Sequence, residues 1–214
     1  GSEMCIRDRY KIAVNNIYPK NKKNKIFETW FVNSKINFEP IEFSEWKNNI
    51  NFTIHKIVKR EKFLIIGSSL GAWLGLLQFQ NFQKQIIGFI GIGSAPEFLD
   101  RLIWQKLKNN EKKLFLKKKF YMLKSDGYEY KIKLALLKDG RKNKVLNKKI
   151  NSKIPVFLIH GKKDDVVPLK LSKKIFSIFP RAKKKMEIIK GGDHSLSRKG
   201  DLKKLTSLID KIIY

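Results

Sequence analysis

The run Phe63-Leu-Ile-Ile66 feeds directly into Gly67-Ser-Ser-Leu-Gly71, and Ala72, Trp73, Leu74, Leu76 and Leu77 follow at once. The apolar run reads as a buried strand and the residues after Gly71 as the start of a helix. Strand, tight turn and helix is the setting in which a G-x-S-x-G pentapeptide acquires chemical meaning. Such a turn drives its central serine into a strained backbone conformation, and Gly67 and Gly71 are expected to remove Cβ atoms that would clash with strand and helix. Ser69 is then expected at the carboxyl end of the strand and the amino end of the helix. The backbone N–H of Leu70 would turn toward the same space, where it can donate to an oxyanion. The plainer reading is a Gly/Ser turn ahead of an ordinary helix.

The rest of the chain supplies neighbours for that strand. Gln85–Ile92 is a second apolar run, closed by Gly93-Ser-Ala-Pro96. Strand, helix and strand within about thirty residues make a βαβ unit, whose strands are parallel. Ile154–His160 and Met186–Ile189 are two further strand candidates. Apolar residues recur at helical spacing at Phe43, Trp46, Ile50, Ile54, Ile57 and Val58, over Leu169–Phe179, and again from Asp201 to the end. The expected fold class is therefore α/β, a mostly parallel sheet flanked by helices. At 214 residues with 42% apolar content, the chain fits one domain with a real core.

Two regions stand apart. Residues 97–150 mix apolar positions such as Phe98, Leu102, Leu107 and Phe120 with lysine clusters, and are expected to form a helical cap inserted between two core strands. Trp104, Phe115, Tyr121, Met122, Tyr128 and Tyr130 in this cap either line an apolar pocket or hold the insertion together. Upstream, Lys11–Val14 and Ile26–Val32 have strand composition. Residues 1–9 look like a tag followed by adapter-derived sequence, which leaves 10–214 as the domain.

The chemistry is expected where strands end, because ligand and reacting groups of open parallel sheets gather at the carboxyl edges. Ser69, Asp164 and His194 each follow a strand candidate within a few residues. A serine hydroxyl is a weak nucleophile at neutral pH and needs an adjacent base. A histidine can take and return its proton, and a carboxylate holds the imidazole in the right tautomer. The chain order Ser, Asp, His is the one this scaffold uses. Each residue also has a plain structural reading. Asp164 could cap a loop or helix, with Asp165 as its competitor, and His194 after Gly191-Gly192 could be a turn residue. His55 lies within the first helix and reads as a packed or solvent-edge histidine.

Taken together, Gly67-Ser-Ser-Leu-Gly-Ala-Trp73, His160-Gly-Lys-Lys-Asp-Asp-Val-Val-Pro168 and Gly192-Asp-His-Ser-Leu-Ser197 resemble the α/β-hydrolase family. The similarity is to the group of mitochondrial palmitoyl-protein thioesterases and their bacterial serine-hydrolase relatives. Lys133-Leu-Ala-Leu-Leu-Lys-Asp-Gly140 also looks like that group. The resemblance spans Phe43 to Ile213. It implies Ser69 as nucleophile, His194 as base, Leu70 as oxyanion donor and Asp164 as acid, since the family's acid lies three residues after the loop glycine. It further implies hydrolysis of small-molecule or protein-linked acyl esters and thioesters through an acyl-serine, without cofactor or metal. The chain departs from the family in one respect: no His-Gly dipeptide precedes Ser69, so the loop that normally gives the second oxyanion donor is missing and a reduced N-terminal sheet is expected.

Net charge bears on the alternatives. The chain carries 47 basic and 19 acidic residues, a formal +28, and only seven of the basic residues are arginine. Arginine is the better fork for phosphates and bases. The lysines are dispersed from Lys11 to Lys211, as on a solvated surface, which argues against a specific nucleic-acid partner. No membrane span and no secretory signal are visible. With Cys5 the single cysteine, an internal disulfide and a cysteine zinc site are excluded, and a reducing, cytoplasmic setting is expected. Besides hydrolysis, the classes left open are a catalytically impaired binding scaffold and a basic polyanion-binding protein. Dispersed charge predicts polyanion binding at low salt that disappears at physiological ionic strength. Retention of duplex DNA there in a gel-shift titration would point to a dedicated polyanion surface.

Overall fold

The computed structural model describes residues 42–125 and 128–214. The strand candidates at Lys11–Val14 and Ile26–Val32, the segment 1–9 and the reduced N-terminal sheet lie outside the described residues. The four expected core runs become β1 (Phe63–Ser68), β2 (Ile86–Ile92), β5 (Pro155–Gly161) and β6 (Lys183–Ile189) of one sheet, in the order β1-β2-β5-β6. All three pairings are parallel, with Gly67 opposite Gly91, Ile90 opposite Phe157, and His160 opposite Ile188. Parallel registration brings the carboxyl ends of all four strands to one edge of the sheet. Met186–Ile189 proves to be the second half of a longer strand whose first half is Lys183-Lys184-Lys185. Among the described residues β6 is an edge strand, where lysine is well placed because it discourages pairing with another chain.

Strand alternation divides the core in two. Phe89, Val156 and Leu158 face one side, where they pack with helices α1 (Phe43–Thr53) and α2 (Leu70–Phe82) and with the helical pair α5 (Leu169–Lys173) and α6 (Ile175–Ile178). Ile90, Phe157 and Ile159 face the other, under Leu205, Leu208 and Ile209 of α7 (Lys199–Ile213). Helix α2 is buried nearly all round, including Trp73, Leu74, Leu76, Leu77 and Phe79, which fits its all-apolar sequence. Trp73 packs at a tilt on Phe43 with ring centroids 4.0 Å apart, and Trp46 and Ile50 of α1 join the same core.

Three expectations about helices need correction. The first helix is α-helical only to Thr53, and Ile54–Val58 widens into a π-helical turn, with His55 exposed and its ring edge-on to Phe82. Leu169–Phe179 is two short helices broken at Lys174. The larger correction is in the insertion. After a π and a 3-10 turn over Leu99–Lys106 and helix α3 (Asn109–Lys118), the chain forms an antiparallel hairpin, β3 (Phe120–Ser125) and β4 (Tyr128–Lys133), before α4 (Leu134–Lys142). Tyr128-Glu-Tyr-Lys-Ile-Lys133 alternates with a period of two, and Asp126-Gly127 is a strong hairpin dipeptide. That local signal was masked by the surrounding lysines and by a helical reading of the whole segment.

The two ends of the insertion are tied to each other and, through α1 and α2, to the core. Buried Glu97 accepts from the N–H groups of Val145 and Leu146 at 3.0 and 2.8 Å and pairs with Arg101. Asp100 binds Arg141 at 2.7 Å. The Trp73 indole donates to the Asn143 carbonyl at 2.9 Å, and buried Asp139 accepts from the Ser44 N–H at the start of α1. Asp139→Ala leaves that first-turn N–H without its acceptor in a partly buried place. The expected loss is about 1–3 kcal/mol, read from the urea midpoint, while Lys142→Ala, whose ammonium is exposed, should shift it far less.

Candidate active site

Ser69 stands between β1 and α2 with φ 49° and ψ −117°. A non-glycine residue pays about 1–3 kcal/mol for such a conformation, and it persists only when its surroundings over-determine it. Here they do: the Ser69 N–H donates to the Ile92 carbonyl at 2.8 Å, and its own carbonyl accepts from Ala95 and Ala72, both at 3.2 Å. Gly67 is required as expected, since a Cβ there would lie 2.6 Å from the Ala72 Cα and the Gly71 oxygen. The expectation for Gly71 is corrected: a Cβ on it meets nothing within 4 Å among the described residues. Leu70 opens α2, so its N–H is one of the first-turn donors with no intrahelical acceptor.

The structure brings the three strand-end residues together. His194 Nε2 lies 3.1 Å from Ser69 Oγ, and His194 Nδ1 lies 2.8 Å from Asp164 Oδ2. Asp164, not its neighbour Asp165, makes this contact. Its side chain is 0% exposed, and its Oδ1 accepts from the N–H groups of Val166 and Val167 at 3.0 and 2.8 Å. Burial pushes this carboxyl up, but the His194 bond, the Val167 N–H and the fields of His194 and His160 together outweigh burial and hold it below the ordinary carboxylate range. An ionised carboxylate can only accept, so the imidazole proton sits on Nδ1 and Nε2 is left to accept the Ser69 hydroxyl.

The loops that carry these residues are bonded to one another. Lys162 and Lys163 of the acid loop donate to the carbonyls of Ile189 and Gly192 at 2.9 and 2.8 Å, which fixes the loop bearing His194. Gly93 forms the bed for the His194 ring. It has φ +47°, and a Cβ there would lie 3.1 Å from Nδ1. Neither Gly93 nor His160 was singled out from sequence as part of the site. His160 ends one residue before β5 does, is 1% exposed, and lies behind Asp164 with its Nε2 3.3 Å from Oδ2. Burial depresses its pKa more than the Asp164 charge and the Val167 carbonyl raise it, and the charge of His194 depresses it further.

The cap aromatics separate into two groups. Trp104, Phe115 and Tyr121 stack in series, with centroids 5.8 and 5.9 Å apart, and Phe115 is 1% exposed. Arg141 covers the Trp104 ring at 4.9 Å. Met122 and Tyr130 are exposed on the hairpin, and the Tyr128 side chain lies outside what is described. Two cavities, of about 190 and 500 Å³, are lined by residues of α2 with Val145, Lys148 and Ile150 and by the lysines around Phe120; neither touches Ser69, Asp164 or His194. Among the described residues no cluster of His, Cys, Asp or Glu is arranged to hold a metal, and no helix is long and apolar enough to cross a membrane.

With fold and site in view, the chain belongs to the serine hydrolase (FSH1) family, which it matches over residues 7–204. It is 26% identical over 183 residues to the mitochondrial palmitoyl-protein thioesterase ABHD10 of Bos taurus, a match taking in 85% of this chain and 60% of that protein. The Homo sapiens protein of the same name is 25% identical over 179 residues, 83% of this chain and 58% of that one. The chain thus spans about 60% of the length of the curated relatives it matches. Mouse α/β hydrolase domain-containing protein 10 superposes with a TM-score of 0.72 at 26% identity, covering 80% of this chain and 69% of its own. An Agrobacterium vitis S4 protein superposes at 0.74 and 26% identity, covering 81% and 69%. The α/β-hydrolase fold is shared.

The paired Asp164 contributes to stability in a pH-dependent way. Its folded ionisation lies below the unfolded value of about 3.9, so the stabilisation is present above that pH and is lost as pH falls through the folded value. Asp164→Asn is expected to lower the melting temperature at neutral pH and to flatten its fall between about pH 5 and pH 3. Parallel curves for variant and wild type would contradict this.

Proposed function

We propose that this chain hydrolyses acyl esters or thioesters through an acyl-serine at Ser69. The observation that carries the reading is the continuous chain of contacts from Ser69 Oγ through His194 to Asp164, at 3.1 and 2.8 Å, on three loops at one edge of a parallel sheet. Family membership and the thioesterase relatives support the same class of reaction.

In this mechanism His194 Nε2 takes the Ser69 proton as Oγ forms a bond to the acyl carbonyl carbon. The carbonyl π electrons move to oxygen, and the Leu70 N–H donates to that oxyanion. Asp164 stabilises the transient imidazolium and does not itself take the proton. Collapse of the tetrahedral intermediate breaks the bond to the alcohol or thiol, which leaves with the proton from His194. Water then repeats the sequence on the acyl-enzyme and releases the acid and Ser69. The strained serine turn holds Oγ clear of the strand, so little reorganisation is needed before attack.

A binding scaffold without turnover is the rival reading. It draws on one feature of the sequence: no His-Gly dipeptide precedes Ser69, so Leu70 is the one oxyanion donor assigned, and loss of one of two donors costs about 10²–10³ in rate. A fluorophosphonate probe and short-chain p-nitrophenyl esters separate the two. Wild type is expected to be labelled and to turn over ester. Ser69→Ala should lose labelling and at least about 10³-fold in kcat/KM. Labelling that persists in Ser69→Ala would remove the serine from its assigned role.

A further inference from the structure

Among the described residues, His160 is a buried titratable side chain beside the site that the mechanism leaves unused. Its ring bridges two loops. Nε2 lies 3.0 Å from the Val167 carbonyl and 3.3 Å from Asp164 Oδ2. Nδ1 lies 3.0 Å from Ser172 Oγ on α5, and Ser172 donates to the Ser94 carbonyl at 2.9 Å. Ser94 is flanked by Gly93, the bed of the His194 ring, and by Ala95, whose N–H holds the Ser69 carbonyl.

We propose that His160 is a positioning residue that closes the acid loop behind Asp164 and ties it, through Ser172 and Ser94, to the turn that holds Ser69. This rests on the hydrolase reading above. The acid loop leaves β5 at Gly161 and must fold back so that the N–H groups of Val166 and Val167 meet Asp164 Oδ1. The Nε2–H···O bond to the Val167 carbonyl fixes that return from inside the protein, where no water competes for it. The same N–H carries partial positive charge beside Oδ2, the oxygen that receives His194 Nδ1–H. A buried carboxylate with fewer donors around it would rotate or gain a proton, and either change misaligns His194.

The groups around the ring sort the proton. Val167 O and ionised Asp164 can only accept, so in the neutral ring Nε2 holds the proton and Nδ1 accepts from Ser172. The single Ser172 hydroxyl proton is then contested between His160 Nδ1 and the Ser94 carbonyl. The bond on the acid side is unshared and the bond on the serine side is shared. Loss of the acid-side bond should therefore matter more to catalysis.

The test uses the full chain and counts active sites by fluorophosphonate burst titration. His160→Phe keeps the ring volume and removes both polar ends. His160→Gln can place an amide N–H where Nε2 stands, whereas His160→Asn places one near Nδ1. The expected result is that His160→Phe lowers kcat per titrated site on the order of 10–10²-fold, with KM for a p-nitrophenyl ester held within about twofold. Gln should restore most of that loss and Asn little of it. A purely structural role would reduce the melting temperature and the number of titratable sites but leave kcat per site unchanged, and that result overturns the proposal, as do equal losses for Gln and Phe. Should His160→Phe not fold, Ser172→Ala removes only the hydroxyl link, and an unchanged kcat per site in it counts against the proposed tie. Ester turnover that survives Ser69→Ala would defeat the hydrolase reading itself. Wild-type kcat in His160→Phe with a dead Ser69→Ala would defeat the positioning role alone.

Discussion

The structure depends on a backbone that its own residue does not favour. Ser69 is held at φ 49° and ψ −117° by three backbone hydrogen bonds, to Ile92, Ala95 and Ala72. Two of these come from β2 and the loop after it, so the turn is not a local structure that the pentapeptide could keep alone. Parallel pairing of β1 with β2 puts the Ile92 carbonyl and the Ala95 N–H where the turn needs them. Gly67 is the one place in the turn where backbone meets backbone too closely for a side chain. The strain is offset by the sheet and by helix α2, which is buried from Ala72 to Phe79.

The same edge of the sheet settles the electrostatics. Asp164 is fully buried, yet it stays below its ordinary pKa because every face of the carboxylate meets a donor or an imidazole. Burial by itself would have made it a neutral acid, unable to orient His194. The donors come from its own loop, Val166 and Val167, and that loop is shaped in turn by a histidine one strand residue earlier than Gly161. Acid loop and base loop are laced by backbone bonds from Lys162 and Lys163, so the imidazole is positioned from two sides. These two lysines act through their backbone N–H groups, and no lysine ammonium enters the hydrogen bonds among Ser69, His194 and Asp164.

The insertion is organised by the same economy of buried polar contacts. Glu97, Asp100 and Asp139 are acidic residues in a basic chain: Glu97 and Asp100 join the start of the insertion to its end at Val145, Leu146 and Arg141, and Asp139 joins it to Ser44 of α1. The Asp139-Gly140 pair, which carried part of the family resemblance, is thereby explained by packing. Asp139 holds the start of α1, and Gly140 lies against Leu99 and Trp73. The hairpin between α3 and α4 shows how a local signal can be lost. Its alternation covers only six residues a side, and a helical reading of the longer window absorbs it.

Patterns carried by near neighbours in the chain were legible in the residues alone. Four apolar runs marked the strands, the serine turn announced its setting, and Ser69, Asp164 and His194 stood out because each closes a strand in the expected order. Those inferences need only spacing and side-chain chemistry. What spacing does not contain is contact through space. That Asp164 and not Asp165 reaches the imidazole and that Gly93 supports the His194 ring follow from loops meeting across 30 to 125 residues of sequence. Such meetings are set by sheet order and by the packing of two faces of a core, and no window along the chain is long enough to record them.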